Sequence, residues 1–164
     1  MTQSGCDKSR LTGNELMLCD LSGQALDPDE IPSAETPVHS CLYRLSDSIG
    51  AVFHSHSVTS TLLSMRAGSA LEITGFEMQK AFTGVTTHEQ TVVVPVFDND
   101  QDMVALAEKL AAAWHDGLIK MPGFLIAGHG LYAWGDDAAE ATRHVEGFEF
   151  LFECLWQEQL AKLS

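Results

Sequence analysis

Basic residues are scarce in this chain. Nine Lys and Arg stand against 23 Asp and Glu, a formal net charge of −14 at pH 7 over 164 residues. Nucleic acid and anionic membranes recruit proteins through dense positive charge, so both are disfavoured as partners. An anionic small molecule stays admissible where local donors or a metal ion override the global field. Long hydrophobic runs are missing too. No apolar stretch approaches the ~20 residues that span a bilayer, and the opening MTQSGCDKSR carries no apolar h-region of a signal peptide. Cysteine is thin. Cys6, Cys19, Cys41 and Cys154 form no CxxC pair, so free thiols in a reducing cytosol are expected and a cysteine-based zinc site is not. No linker, internal repeat or low-complexity segment interrupts the chain. At 45% hydrophobic and 20% charged residues the composition is globular, and one domain over residues 1–164 is expected.

What is present alternates extended and helical patterns. Residues 15–27 are expected to hold a short strand and a Ser-Gly turn. Ser33 is the expected cap of a helix over 36–44, with Pro37 in its tolerant first turn. The β-rich run 49–56 predicts a buried strand, and 57–68 a helix ending at glycine. Residues 71–84 mix a short extended piece and a short helix. Residues 90–99 form the clearest strand, whose proline suggests an edge or a strand end. A helix over 100–117, two strands around Gly-His-Gly in 123–135, and a long amphipathic helix over 136–163 complete the order. This predicts an α/β domain with helices flanking a sheet.

The chemistry-bearing stretch is AVFHSHSVTS, residues 51–60. His54 and His56 are two apart, and on a strand that spacing points both side chains to one face. A third histidine from another element would complete a three-nitrogen site with an open fourth position, which is what a catalytic zinc requires. His129 is the candidate, because Gly128 and Gly130 allow close backbone approach beside it. His115 ends a helix, His144 falls on a surface-like stretch of the last helix, and His39 and His88 carry no clear signal. The residues alone leave two readings open, a ligand set or half-buried packing histidines.

Two acids accompany them. Glu35 begins a helix, and Glu77 in GFEMQKAF has apolar sequence neighbours, a setting that raises a carboxyl pKa and suits acid/base work. A solvated helix carboxylate is the alternative for either. Near the start, Ser4, Gly5 and Lys8 offer backbone N–H groups, a hydroxyl and an ammonium to a phosphate, and Ser33 at a helix start can add to them. The alternative there is an ordinary loop.

Taken in order, SAE at 33–35, AVFHSHS at 51–57 and GHGLYAWG at 128–135 resemble the class II aldolase and adducin-like family over nearly the whole chain. SGCDKSRLT, GFEMQKAF, VVVPVFDN and HVEGFEFLFE resemble its branch that dehydrates a sugar phosphate. The resemblance implies a three-layer fold with a central, mainly antiparallel sheet flanked by helices. It implies a zinc ion on His54, His56 and His129, with Glu35 as a lesser ligand. Glu77 becomes the catalytic acid or base, and Ser4, Gly5 and Ser33, helped by Lys8, meet the substrate phosphate. The implied reaction is loss of water from 5-methylthioribulose 1-phosphate to give 2,3-diketo-5-methylthiopentyl 1-phosphate, a step of methionine salvage. Zinc would polarise the C2 carbonyl and acidify the C3 proton, and the C4 hydroxyl would leave as water. A cytoplasmic homotetramer with active sites near subunit contacts is the implied assembly, with aromatic residues of the last helix available for contact or for the core. Relative to the family, the chain is expected to lack an N-terminal helix and a Gly-Asn strand. Two alternatives stand beside this reading: a class II ketose 1-phosphate aldolase, and a non-catalytic adducin-head-like interaction module.

Overall fold

A computed structural model describes residues 1–6 and 12–162. They form two compact units, residues 1–47 with 100–112, and residues 48–99 with 113–164.

The first unit has little regular structure beyond its helices. Helix α1 spans Thr36–Leu45, and its Val38, Cys41 and Leu42 are buried at helical spacing. Pro37 sits in the first turn, as expected, and Arg44 in the last turn complements the helix dipole. Most of helix α3, Met103–His115, belongs to the same unit, where the Cys41 thiol donates to the Ala107 carbonyl at 3.3 Å. Asp102 starts α3 by accepting from the Val104 and Ala105 N–H groups at 3.0 and 3.1 Å. The strand expected within 15–27 does not form. Asp20 gathers the Ser22 and Gln24 N–H groups on its carboxylate instead, and this tight turn leaves one isolated bridge, Cys19 to Ala25.

The second unit is built on a five-stranded sheet in the order β1-β5-β4-β3-β2. Its strands are β1 Ala51–Ser55, β2 Ala70–Ile73, β3 Val92–Phe97, β4 Gly123–Ile126 and β5 Gly130–Gly135. Three of the neighbouring pairs are antiparallel and only β3 with β4 is parallel, so the mainly antiparallel α/β expectation holds. Helices α2, Val58–Ser64, and α4, Ala138–Ala161, complete the unit.

Pro95 corrects an expectation, since β3 has neighbours on both sides. Val96 N–H donates toward β2, to Ser69 O at 2.9 Å, so by alternation the nitrogen of Pro95 faces β4. The β4 ladder begins only at Val96, one step later, and no donor is missed at Pro95.

Alternation along the strands separates two faces. Val94, Val96, Leu125, Leu131 and Ala133 join Leu63 of α2 and Phe148, Leu151 and Phe152 of α4 in one buried cluster. Full burial of side chains such as these contributes roughly 1.5–3 kcal/mol each. The other face carries Phe124, Tyr132 and Trp134, all buried. Phe148 and Phe152 of the aromatic-rich last helix are thus core residues, whereas Phe150 is half exposed.

His144 is a second correction. It is 2% exposed, with Nδ1–H donating to the Trp134 carbonyl at 2.6 Å. Its place on the stripe of Ala141, Phe148 and Leu151 explains the burial.

Candidate metal centre

His54 enters the site from β1, opposite Tyr132 of β5. Its ring stacks on Tyr132 at 4.0 Å between centroids, and Tyr132 stacks in turn on Phe124 at 5.1 Å. His54 Nδ1 lies 2.8 Å from the Leu131 carbonyl oxygen. A carbonyl only accepts, so Nδ1 carries the proton and Nε2 presents its lone pair, the tautomer a metal ligand needs.

The Nε2 atom of His56 lies 2.7 Å from that of His54, and Nε2 of His129 lies 3.3 Å from it. His56 follows the last residue of β1 and is exposed, while His129 stands in the turn between β4 and β5. Two nitrogens at the Zn–N distance of ~2.0–2.1 Å on a tetrahedral ion are about 3.3 Å apart. The His54–His129 separation matches that span and the His54–His56 separation is shorter; the three convergent imidazole nitrogens, one with its tautomer set by the main chain, are donors of the type a metal takes.

Helix α2 holds the His129 turn. The Thr61 hydroxyl donates to the His129 carbonyl at 3.1 Å, and the Ser64 hydroxyl accepts from Gly128 N–H at 3.0 Å. Sequence reasoning missed both residues. Their signal was an unusual density of hydroxyls in SVTSTLLS, with Thr61 and Ser64 three apart on one helical face.

Against known proteins, residues 1–156 match the family described as class II aldolase and adducin N-terminal domain. The chain belongs to this family.

Members of the class II aldolase family are metal-dependent, and the three histidines form a group able to hold a metal. A methylthioribulose-1-phosphate dehydratase from Marinobacter nauticus is 51% identical over 156 residues, 94% of this chain and 74% of that protein. The enzyme of the same name from Yersinia enterocolitica is 45% identical over 161 residues, 98% of this chain and 76% of that protein. Among solved structures, L-fuculose-1-phosphate aldolase from Thermus thermophilus matches with a TM-score of 0.74 at 25% identity, covering 99% of this chain and 78% of that one.

The other site candidates of the class II aldolase reading fall as follows. Glu77 opens a 3-10 helix, Glu77–Ala81, in the second unit. Its side chain is 70% exposed, ion-paired with Lys80 and 3.2 Å from His88 Nδ1. The expectation of a raised pKa is therefore corrected. The hydrogen bond from Lys80, together with the charges of Lys80 and His88, holds the carboxyl below its ordinary value. Apolar neighbours in sequence did not bury the carboxylate, which is 70% exposed beside Lys80 and His88.

In the first unit, Glu35 occupies the N-cap position of α1, half buried and making no side-chain capping bond. Ser33, expected as the cap, lies two residues earlier, where its hydroxyl accepts from Glu35 N–H at 3.4 Å. The N-terminal segment pairs with this stretch: Ser4 N–H donates to Ile31 O at 2.8 Å and Ser33 N–H to Thr2 O at 3.3 Å. Ser4, Gly5 and Ser33 are thereby brought to neighbouring strands of chain, with Gly5 at φ +75°. Lys8 lies outside the described residues. All four cysteines are free thiols, and no described helix is long and apolar enough to cross a membrane.

Proposed function

We propose that this chain is a zinc-dependent methylthioribulose-1-phosphate dehydratase, removing water from 5-methylthioribulose 1-phosphate to give 2,3-diketo-5-methylthiopentyl 1-phosphate. The observation that carries the reading is the convergence of the His54, His56 and His129 Nε2 atoms in a chain about half identical to relatives of that name. Bound there, zinc supplies Lewis acidity toward the C2 carbonyl, which acidifies the C3 proton. The three histidines would hold the ion through their imidazole nitrogens.

Glu77 moves a proton at its carboxylate oxygen, taken from C3 or given to the C4 hydroxyl as it leaves as water. The enol that remains tautomerises to the diketone. Family resemblance assigns Glu35 as a lesser metal ligand, and assigns Ser4, Gly5, Ser33 and Lys8 to the substrate phosphate. The match over residues 1–156 supports reading both units as one class II aldolase-like domain. A cytoplasmic homotetramer completes the proposal.

The test is metal content and turnover on one purified sample with 5-methylthioribulose 1-phosphate. One zinc per chain with diketone product is the expected result. Cleavage between C3 and C4 would assign a sugar-phosphate aldolase instead. Absence of both metal and turnover would assign the non-catalytic adducin-head-like module.

A further inference from the structure

Glu77 stands at the start of a 3-10 turn whose N-cap residue, Phe76, offers no side-chain cap. Gln79, at the third position of the turn, reaches back instead, and its Oε1 accepts from Phe76 N–H at 2.9 Å. A glutamate would serve that contact equally well. The other end of the side chain calls for an amide, because Gln79 Nε2 donates to the Gln90 carbonyl at 2.6 Å. Gln79 is fully buried. A buried amide is costly to leave unpaired, so both contacts resist being broken.

The two contacts join two segments, the turn itself and residues 88–90 ahead of β3. Gly75 N–H ties the same segments a second time, donating to the His88 carbonyl at 2.8 Å. The far end of the turn is anchored to α4: Arg143 Nε donates to the Ala81 carbonyl at 3.2 Å, and the buried Phe82 ring packs on Phe148. Glu77 has two partners, and both belong to this joint. Lys80 rides on the same turn, and His88, with Nδ1 3.2 Å from Glu77 Oε2, belongs to the segment that Gln79 grips. All three of these side chains are exposed, and ion pairs in solvent orient a carboxylate only weakly. The direction of the carboxylate is set by the two backbones beneath it, and Gln79 is the side chain that locks one to the other.

We propose that Gln79 is a positioning residue: its buried amide locks the turn that carries Glu77 to the segment that carries His88, and so aims the Glu77 carboxylate. This rests on the reading of Glu77 as the group that moves the proton.

The test is steady-state turnover of 5-methylthioribulose 1-phosphate by the zinc-loaded full chain, with zinc per chain measured on each sample. Gln79→Met keeps the volume and loses both hydrogen bonds. It should lower kcat on the order of 10-fold, with the KM and zinc content of wild type. In a Glu77→Gln background the same substitution should cost no further turnover, because the group it aims is gone. Amide hydrogen exchange on the metal-free proteins should show the Phe76 N–H opening faster in Gln79→Met than in wild type.

A wild-type kcat in Gln79→Met would overturn the proposal. So would a loss of zinc in proportion to the loss of kcat, which marks unfolding, or an equal loss of kcat repeated in the Glu77→Gln background. Unchanged exchange at Phe76 would overturn the joint itself. Should Gln79→Met not fold, Gln79→Asn decides, since its shorter amide does not span both partners, and an unchanged kcat overturns the proposal. Full turnover by Glu77→Gln, or none by wild type, would sink the reading that this inference rests on. An inactive Glu77→Gln beside an unimpaired Gln79→Met sinks only this inference.

Discussion

A Cβ on Gly130 would lie 2.1 Å from the carbonyl oxygen of Ser55 and 3.0 Å from Cδ2 of His56. Gly128, on the other side of His129, has open surroundings by comparison, with Met65 Cγ at 3.4 Å, but a φ of +65°. The two glycines serve different needs, close strand approach in one and left-handed backbone in the other. Gly130→Ala is expected to cost about 3 kcal/mol or more, because the clash is with backbone, and to disrupt metal binding. Gly128→Ala should cost only about 1–2 kcal/mol. Urea unfolding of the two variants checks the ranking; equal costs would contradict it.

Removing either of two histidines from separate elements should empty the site. His54→Ala and His129→Ala are each expected to lose the bound metal, read by elemental analysis after gel filtration. Full stoichiometry in either variant would end the three-histidine assignment. Dialysis of wild type against a strong chelator should abolish turnover, and zinc should restore it.

Glu77→Gln should retain metal and lose turnover, by at least about 100-fold for a group that moves a proton in the reaction. Lys80 supplies the main influence that lowers the Glu77 carboxyl. Replacing it in Lys80→Met should let that carboxyl rise toward its ordinary value. Where Glu77 works as an ionised base, the acid limb of the kcat/KM profile then moves to higher pH. An acid limb that stays in place would remove Glu77 from the base role.

The start of α4 offers a stability test away from the metal. Asp137 caps the helix by accepting from Glu140 N–H at 2.8 Å, and Asp137→Ala should cost about 1 kcal/mol. Glu140 is held below its ordinary pKa by the Asp136 N–H, then by the Thr83 hydroxyl, with smaller help from His144 and Arg143. A carboxyl lowered by folding stabilises above its unfolded pKa, and that contribution disappears as pH falls through the folded value. Glu140→Gln should therefore be less stable than wild type near neutral pH, by no more than about 1 kcal/mol for a group near the surface. The two proteins should converge in acid. A gap that persists at low pH would show that charge is not the cause.

Much of the sheet was legible because its strands are apolar runs bounded by turn residues. The run at 49–56 and the Gly-His-Gly break at 128–130 became β1, Ala51–Ser55, and the β4–β5 turn with only small shifts of boundary. The strand expected within 15–27 did not form; the Asp20 carboxylate accepts from the Ser22 and Gln24 N–H groups there and closes a tight turn. His144 was misread by chemical type, although its spacing from Ala141 and Phe148 already put it on the buried stripe. Glu77 was misread by its sequence neighbours, which say little about where a side chain points in a 3-10 turn.

By itself the sequence determined the candidate ligand types and the shared face of His54 and His56, since strand alternation is a local property of the backbone. It also determined the acidic character that disfavours polyanionic partners, because net charge needs no fold. Only the tertiary structure decided that His129 reaches the same point, that Leu131 sets the His54 tautomer, and that Ser55 meets Glu149. These contacts join residues 75, 77 and 94 positions apart, and such distances are closed by strand pairing and helix packing rather than by any local preference.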